Sequence, residues 1–136
     1  MIAERRGDLD TAAALYRAEL ELNPRHHRSW LNLSQIHVQR GDHQEAVEAL
    51  RRAIDADPGR APAYILLARS LLALDDRSTY PDAEAAARRG IELDAPPELL
   101  PLAHYVLADI YNRLGRPADV ERELALARQA ENAIGR

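Results

Sequence analysis

A spacing of 34 residues constrains this chain more than any other feature. Gly7-Asp8 returns as Gly41-Asp42, Ala12 as Ala46, Tyr16 as Leu50, Pro24 as Pro58, Trp30 as Tyr64 and Leu33 as Leu67, each 34 residues later. Further on the spacing widens. Ala46 is matched by Ala83 and then by Val120, 37 residues apart at each step, and Leu67 by Leu107, 40 residues on. Two three-residue insertions reconcile these intervals, one near Arg77-Ser78-Thr79 and one near Pro97 to Leu100. Both fall at joins between elements, where added length costs little closure entropy. A fixed period of this size marks a stacked-repeat protein, whose units bury their apolar faces on their neighbours.

Within each period the pattern is helical. Trp30, Leu33, Ile36 and His37 share one helix face, and so do Ala46, Leu50, Ala53 and Ile54. Gly41-Asp42, Asp57-Pro58-Gly59 and Leu114-Gly115-Arg116-Pro117 separate the faces. Asp42 with Glu45 has the spacing of a capping box. Pro62, Pro81, Pro101 and Pro117 stand near helix starts, where the missing N–H is harmless. The pattern predicts about seven helices, at 8–22, 28–40, 43–56, 62–74, 80–93, 101–114 and 117–133. Phe is absent and alanine fills much of the apolar quota, which favours close helix packing. Ser34, Ala68 and Ala108, and then Ala46 and Ala83, are the expected close-contact positions.

The run Trp30-x-x-Leu33-Ser34-x-x-His37, with Gly41-Asp42, Ala46, Leu50, Ala53 and Pro58, resembles one complete tetratricopeptide repeat. Tyr64, Leu67, Ala68, Leu71, Ala83, Gly90 and Leu93 resemble a second. His104, Leu107, Ala108, Tyr111, Gly115, Val120, Leu124 and Ala127 resemble a third. The resemblance implies an all-α, right-handed superhelical solenoid of antiparallel helical hairpins. It implies one domain over 1–136, with a half repeat at 1–24 and repeats at about 27–60, 61–97 and 101–134. Departures from the family pattern are His37 and Leu71 in place of Tyr, Asp75 for the turn glycine, Ala95 for the closing proline, and Glu19 where a small residue packs. Asp75 and Ala95 are expected to loosen the later turns. Met1 to Arg6 resembles the tail of a helix that would pair with the first one. The chain therefore reads as a piece of a longer protein, or as one whose first helix is covered by a second copy.

In this family the first helix of each hairpin lines a concave surface. The matching positions are Arg28, Leu31, Gln35, Val38 and Gln39, then Ile65, Arg69, Leu72 and Ala73, then Tyr105, Asp109, Asn112 and Arg113. Leu31, Ile65 and Tyr105 are expected to form an apolar strip flanked by polar groups, suited to an extended peptide or an amphipathic helix of a partner protein. Arg69 and Arg113 have the chemistry to grip a carboxylate. Asn32 matches one asparagine of the carboxylate clamp found in co-chaperone repeats. Leu102 and Val106 occupy the downstream basic sites of that clamp, so no clamp is expected.

Other functions find little support. Without Cys there is no thiolate metal site or thiol nucleophile. His26, His27, His37, His43 and His104 show no metal-ligand spacing. No glycine-rich phosphate loop or nucleophile elbow occurs. No catalytic residue, metal or cofactor is expected, and the chain itself reads as no enzyme. It could serve as an accessory repeat domain beside a catalytic one. The net charge of −4 opposes nonspecific nucleic-acid binding. Basic pairs at Arg5-Arg6, Arg51-Arg52 and Arg88-Arg89 read as solvated helix faces. No apolar run reaches membrane-spanning length, and no signal-peptide core is present. No membrane association is expected, and the default location is the cytoplasm. The Arg-rich, Lys-free composition suits a bacterial source. Self-association through the first helix, by Leu9, Leu15, Tyr16 and Leu20, would give a homodimer.

Overall fold

The computed structural model describes residues 2–135, with side chains described over residues 7–135. The chain divides into two compact units, Met1–Pro58 and Gly59–Arg136. The first holds α1 (Ile2–Leu22), α2 (His27–Gln39) and α3 (His43–Ala56). The second holds α4 (Ala61–Ala73), a 3-10 turn (Arg77–Thr79), α5 (Tyr80–Glu92), α6 (Leu100–Arg113) and α7 (Pro117–Ile134). The expected architecture is present: all-α, with no strand among the described residues, and hairpins α2/α3, α4/α5 and α6/α7. Both expected insertions are turns, the 3-10 turn and the tight turn closed by the Leu99 N–H donating to the Pro96 carbonyl at 2.9 Å.

Helix limits follow the expected ones closely except at the start. The first helix was expected to begin at residue 8, just after Gly7. The helix instead runs through Gly7 without a break. Gly41 turns because α2 and α3 fold back on each other. Gly41 takes the left-handed backbone (φ 78°), whereas Gly7 continues the helix. The side chains of Met1 to Arg6, including the Arg5-Arg6 pair, lie outside the described residues.

In the first unit, Ala13 and Leu20 of α1 are buried with Leu33 and Ile36 of α2, and Leu9, Ala12, Tyr16 and Trp30 pack around them. The small positions behave as expected: Ser34 and Ala46 are buried, with Ala49, Leu50 and Ala53 beside Ala46 on α3. The α1–α2 loop also caps α3. Arg25 donates to the Asp55 carbonyl at 3.1 Å, and His27 Nδ1 lies 2.8 Å from the Ala53 carbonyl. The α2 N-terminus is closed by His26, whose Nδ1 accepts the Ser29 N–H at 3.1 Å, while the Ser29 hydroxyl donates to Glu19 at 2.9 Å. Glu19 therefore serves as a polar anchor where the family places a small packing residue.

In the second unit Ala61, Ile65, Ala95 and Ala103 form a buried cluster, with Ile91, Leu93, Leu99, Leu100 and Leu102 packed against it. Ala68, Ala83, Ala87, Ala108 and Tyr111 are buried as well. Gly90 sets the α4–α5 approach. A Cβ built there would lie 2.5 Å from Ile65 Cγ1, a distance only a hydrogen permits.

Two helices end in the Schellman pattern. Gly41 (φ 78°) and Gly115 (φ 71°) take the left-handed conformation. The Asp42 and Arg116 N–H groups then donate to the His37 and Tyr111 carbonyls at 2.8 and 2.9 Å. This explains why the Asp42–Glu45 capping box does not form. Glu45 would have to accept the Asp42 N–H, which the His37 carbonyl already takes, and the Asp42 side chain makes no cap bond.

His37 is buried with no partner for Nδ1 among the described residues. Burial first, and then the Arg17 guanidinium, hold it below its ordinary value of 6.5, against opposing pulls from Glu45 and Asp42. The folded chain thus prefers neutral His37. Its contribution to stability is complete above pH 6.5 and declines as pH falls toward the lower folded value. His37→Leu, the residue Leu71 at the matching position, is expected to flatten that decline. Urea unfolding from pH 7.5 to pH 5 checks this, and an unchanged slope in the variant would remove His37 as its source.

Candidate functional site

The expected partner-facing residues separate into exposed and buried sets. On α2, Arg28 and Gln35 are exposed, while Leu31, Asn32 and Val38 are half-buried. On α6, Tyr105, Asp109, Asn112 and Arg113 form one exposed stripe at i, i+4, i+7 and i+8. Arg69 is half-buried on α4. Two expectations fail. Ile65 is 0% exposed and Leu72 6%. Ile65 fills the cluster with Ala95 and Ala103, because the small Gly90 lets α5 close over it. The expected apolar strip is therefore interrupted on α4.

Arg113 is also committed within the fold. It donates to Asp109 at 3.1 Å, to Asp75 at 3.0 Å, to the Tyr80 hydroxyl at 3.2 Å and to the Leu72 carbonyl at 3.4 Å. Its guanidinium lies 5.7 Å from the Tyr80 ring centre. The Tyr80 bond, ahead of its pairing with Asp109, raises its pKa further. This network corrects the expectation that Asp75 loosens its turn. Asp75 keeps the left-handed backbone (φ 54°). Arg113 holds its carboxylate, and the Thr79 hydroxyl donates to the Leu71 carbonyl at 3.1 Å. Side chains thereby supply what a glycine turn obtains from backbone alone.

Two further networks escaped the sequence. Tyr111, fully buried, donates to Glu84 at 2.5 Å and receives a bond from Arg88. Burial, with that bond to Glu84, raises its phenol pKa. The Arg116 guanidinium lies 4.5 Å from its ring centre. Glu123, also buried, lies 2.9 Å from His104 Nδ1, and Arg122 donates to it at 3.3 Å. A signal for this pair existed. Glu123 stands where α3 and α5 carry the buried Ala49 and Ala86, while His104 replaces the larger rings of Trp30 and Tyr64. The arrangement is a carboxylate held by two donors inside a helix hairpin. Among the described residues no group of three or more His, Asp or Glu could hold a metal. No helix there is long and apolar enough to cross a membrane.

Three family profiles, each described as tetratricopeptide repeat, match residues 1–61, 37–100 and 101–126. The chain belongs to the tetratricopeptide repeat family. Over 83 residues it is 30% identical to the protein SGT1 homolog of Oryza sativa subsp. japonica, covering 61% of this chain and 22% of that protein. The repeat region thus spans about a fifth of that relative. Among solved structures, a crystal structure of MamA superposes with a TM-score of 0.81 at 22% identity, covering 95% of this chain and 72% of the other. MamA 41-end from Desulfovibrio magneticus RS-1 gives 0.75 at 22% identity, covering 96% and 70%. At such identity these likenesses establish the tetratricopeptide fold alone.

The Arg113 network predicts a cost to its loss. Arg113→Ala leaves Asp75 in a left-handed backbone without its cation, and is expected to destabilise the second unit by about 0.5–1 kcal/mol, since the carboxylate is solvent-exposed. Asp75→Gly in the same background is expected to restore part of that loss, because glycine adopts this backbone without strain. Thermal unfolding of the two variants checks this. No recovery in the double variant would separate Arg113 from the turn.

Proposed function

We propose that this tetratricopeptide chain is an interaction scaffold that holds a peptide or helix of a partner protein on the exposed faces of its first hairpin helices. The carrying observation is the stripe Tyr105, Asp109 and Asn112 on α6. It sets an exposed aromatic ring beside hydrogen-bonding groups on a rigid helix, the kind of surface that anchors a partner. Tyr105 donates to Glu131, and that bond leads the causes that raise its pKa. The ring is held in one place before any partner arrives. On α2, Arg28, Leu31, Asn32 and Gln35 offer similar chemistry, and Arg69 adds a cation on α4. Arg113 contributes through the shape of the turn it holds rather than as a free carboxylate grip. The reading is one of binding rather than catalysis. A photo-crosslinker at Tyr105, or at Gln35, is expected to capture a discrete partner from cells. The same group at Ala85, exposed on α5, is expected to capture none. Equal yields at all three sites would remove the preference for these faces.

Self-association is the second reading, favoured by α1. The patch expected from sequence does not stand as a whole, since Leu20 is buried and Leu9 and Tyr16 pack into the core. Leu15 and Leu22 are instead 66% and 90% exposed. Leu15 holds the repeat position of the buried Ala49 and Ala86, so a face that other hairpins cover lies open here. A second copy is a suitable cover. Light scattering over a concentration series is expected to show a dimer that Leu15→Glu weakens at least tenfold. A monomer at every concentration would leave the first reading alone.

A further inference from the structure

We propose a second binding site in the cleft between α1 and α2, one that takes an apolar side chain of an amphipathic helical partner between an acidic and a basic residue. The cleft is shallow and open to solvent, offers about 380 Å³ and is lined by Arg17, Leu20, Glu21, Trp30 and Leu33. Its floor is preorganised. Trp30 Nε1–H donates to the Pro24 carbonyl at 2.8 Å, and the Arg52 guanidinium lies 6.0 Å from the ring centre.

The rim supplies the charge complementarity. Arg17 and Glu21 are exposed and stand one helical turn apart on α1. Neither forms an ion pair or side-chain hydrogen bond among the described residues, and Arg preceding Glu is the poorer order for pairing along a helix. Two uncommitted opposite charges beside an apolar floor match a helix that brings a carboxylate to Arg17, an ammonium to Glu21 and an aliphatic side chain between them.

The second unit holds a matching cleft with different chemistry. Arg, an aliphatic residue and Glu follow Ala12 by five, eight and nine positions, and follow Ala83 at the same offsets as Arg88, Ile91 and Glu92. These line a cleft of about 300 Å³ with His104 and Leu107, which occupy the repeat positions of Trp30 and Leu33. There the charges are already engaged: Arg88 with Glu84 and Tyr111, Glu92 with Arg89 at 3.5 Å, and His104 with Glu123. Repeat packing makes both clefts, but only the α1–α2 cleft keeps an apolar aromatic floor and an unpaired rim. Trp30 and Leu33 lie on a different face of α2 from Arg28, Leu31 and Gln35, so this site and the scaffold face stand or fall separately.

Trp30 is the only tryptophan in the sequence, and its emission reports the cleft directly. The probe is a tryptophan-free, alanine-based helical peptide with one leucine, one glutamate and one lysine on the same face. Titration into the intact chain is expected to shift Trp30 emission saturably. Replacing the peptide leucine by alanine, or its glutamate by a second lysine, is expected to weaken binding about tenfold. Arg17→Glu, a change at an exposed position, is expected to reverse the preference toward the two-lysine peptide. That reversal is a readout that partial unfolding does not produce. Emission unmoved by peptide, equal affinity for the leucine and alanine peptides, or an unchanged charge preference in Arg17→Glu would each overturn the proposal. So would an emission shift on concentrating the protein alone, which assigns the cleft to a second copy.

Discussion

The close approach of the two helices in a hairpin is the contact on which everything else depends. It is set by what is missing from the side chains. Gly90 sits where a single methyl group would meet Ile65 Cγ1 at 2.5 Å, and Ala83, Ala86 and Ala87 line the same buried face of α5. In α3 the equivalent face is Ala46, Ala49 and Ala53. Short helices of this kind are marginal alone in water, so they persist because the small faces let larger residues on the facing helix bury fully. Leu50, Ile65 and Tyr111 are fully buried.

Hairpins also need sharp reversals, and here two solutions coexist. Gly41 and Gly115 turn at little steric cost, and the backbone alone satisfies the exposed carbonyls. Asp75 and Asp94 turn with φ 54° and 63° and carry a Cβ. At Asp75 the deficit is met by Arg113 from α6 and by Thr79 from the inserted 3-10 turn. The three-residue insertion is thus part of the turn, and one arginine joins the end of α6 to the end of α4. The glycine turn is a local device, whereas the aspartate turn depends on a neighbouring hairpin being in place.

Much of this was legible in the sequence because repeats encode packing by position. The period placed α2 to α7, the small contact residues and both insertions, since each depends on local spacing. What stayed hidden depends on partners distant in sequence. Ile65 and Leu72 occupy family positions that face a ligand, yet the closeness permitted by Gly90 buries Ile65. Asp42 and Glu45 have capping-box spacing, but the Schellman bond from Asp42 N–H to the His37 carbonyl claims the donor first. Arg113 looked available for a ligand because nothing local shows Asp75 and Tyr80 converging on it. His26 as the α2 cap was equally unmarked, histidine being an unusual residue for that task. At the start, Gly7-Asp8 repeats the dipeptide Gly41-Asp42, yet α1 runs through it.

Within this frame the ring position of the repeat and its companion on the second helix vary together. Trp30 accompanies Ala49, Tyr64 accompanies Ala86, and His104 accompanies Glu123. A large ring goes with a methyl group, and a small ring with a carboxylate, so the volume allotted to the two positions is roughly shared out. Chemistry is not conserved in that exchange. The first hairpin keeps an aromatic surface that adjoins an apolar cleft. The third places a carboxylate at 3% exposure, held by His104 and Arg122. A buried carboxyl group of this kind adds little net stability when its hydrogen bonds are made, but losing one of those partners is costly. The third hairpin therefore tolerates less change at these positions than the first, although both obey the same spacing. Small residues set the geometry of the fold, which leaves the ring position free to become a binding floor in one unit and an internal polar lock in the other.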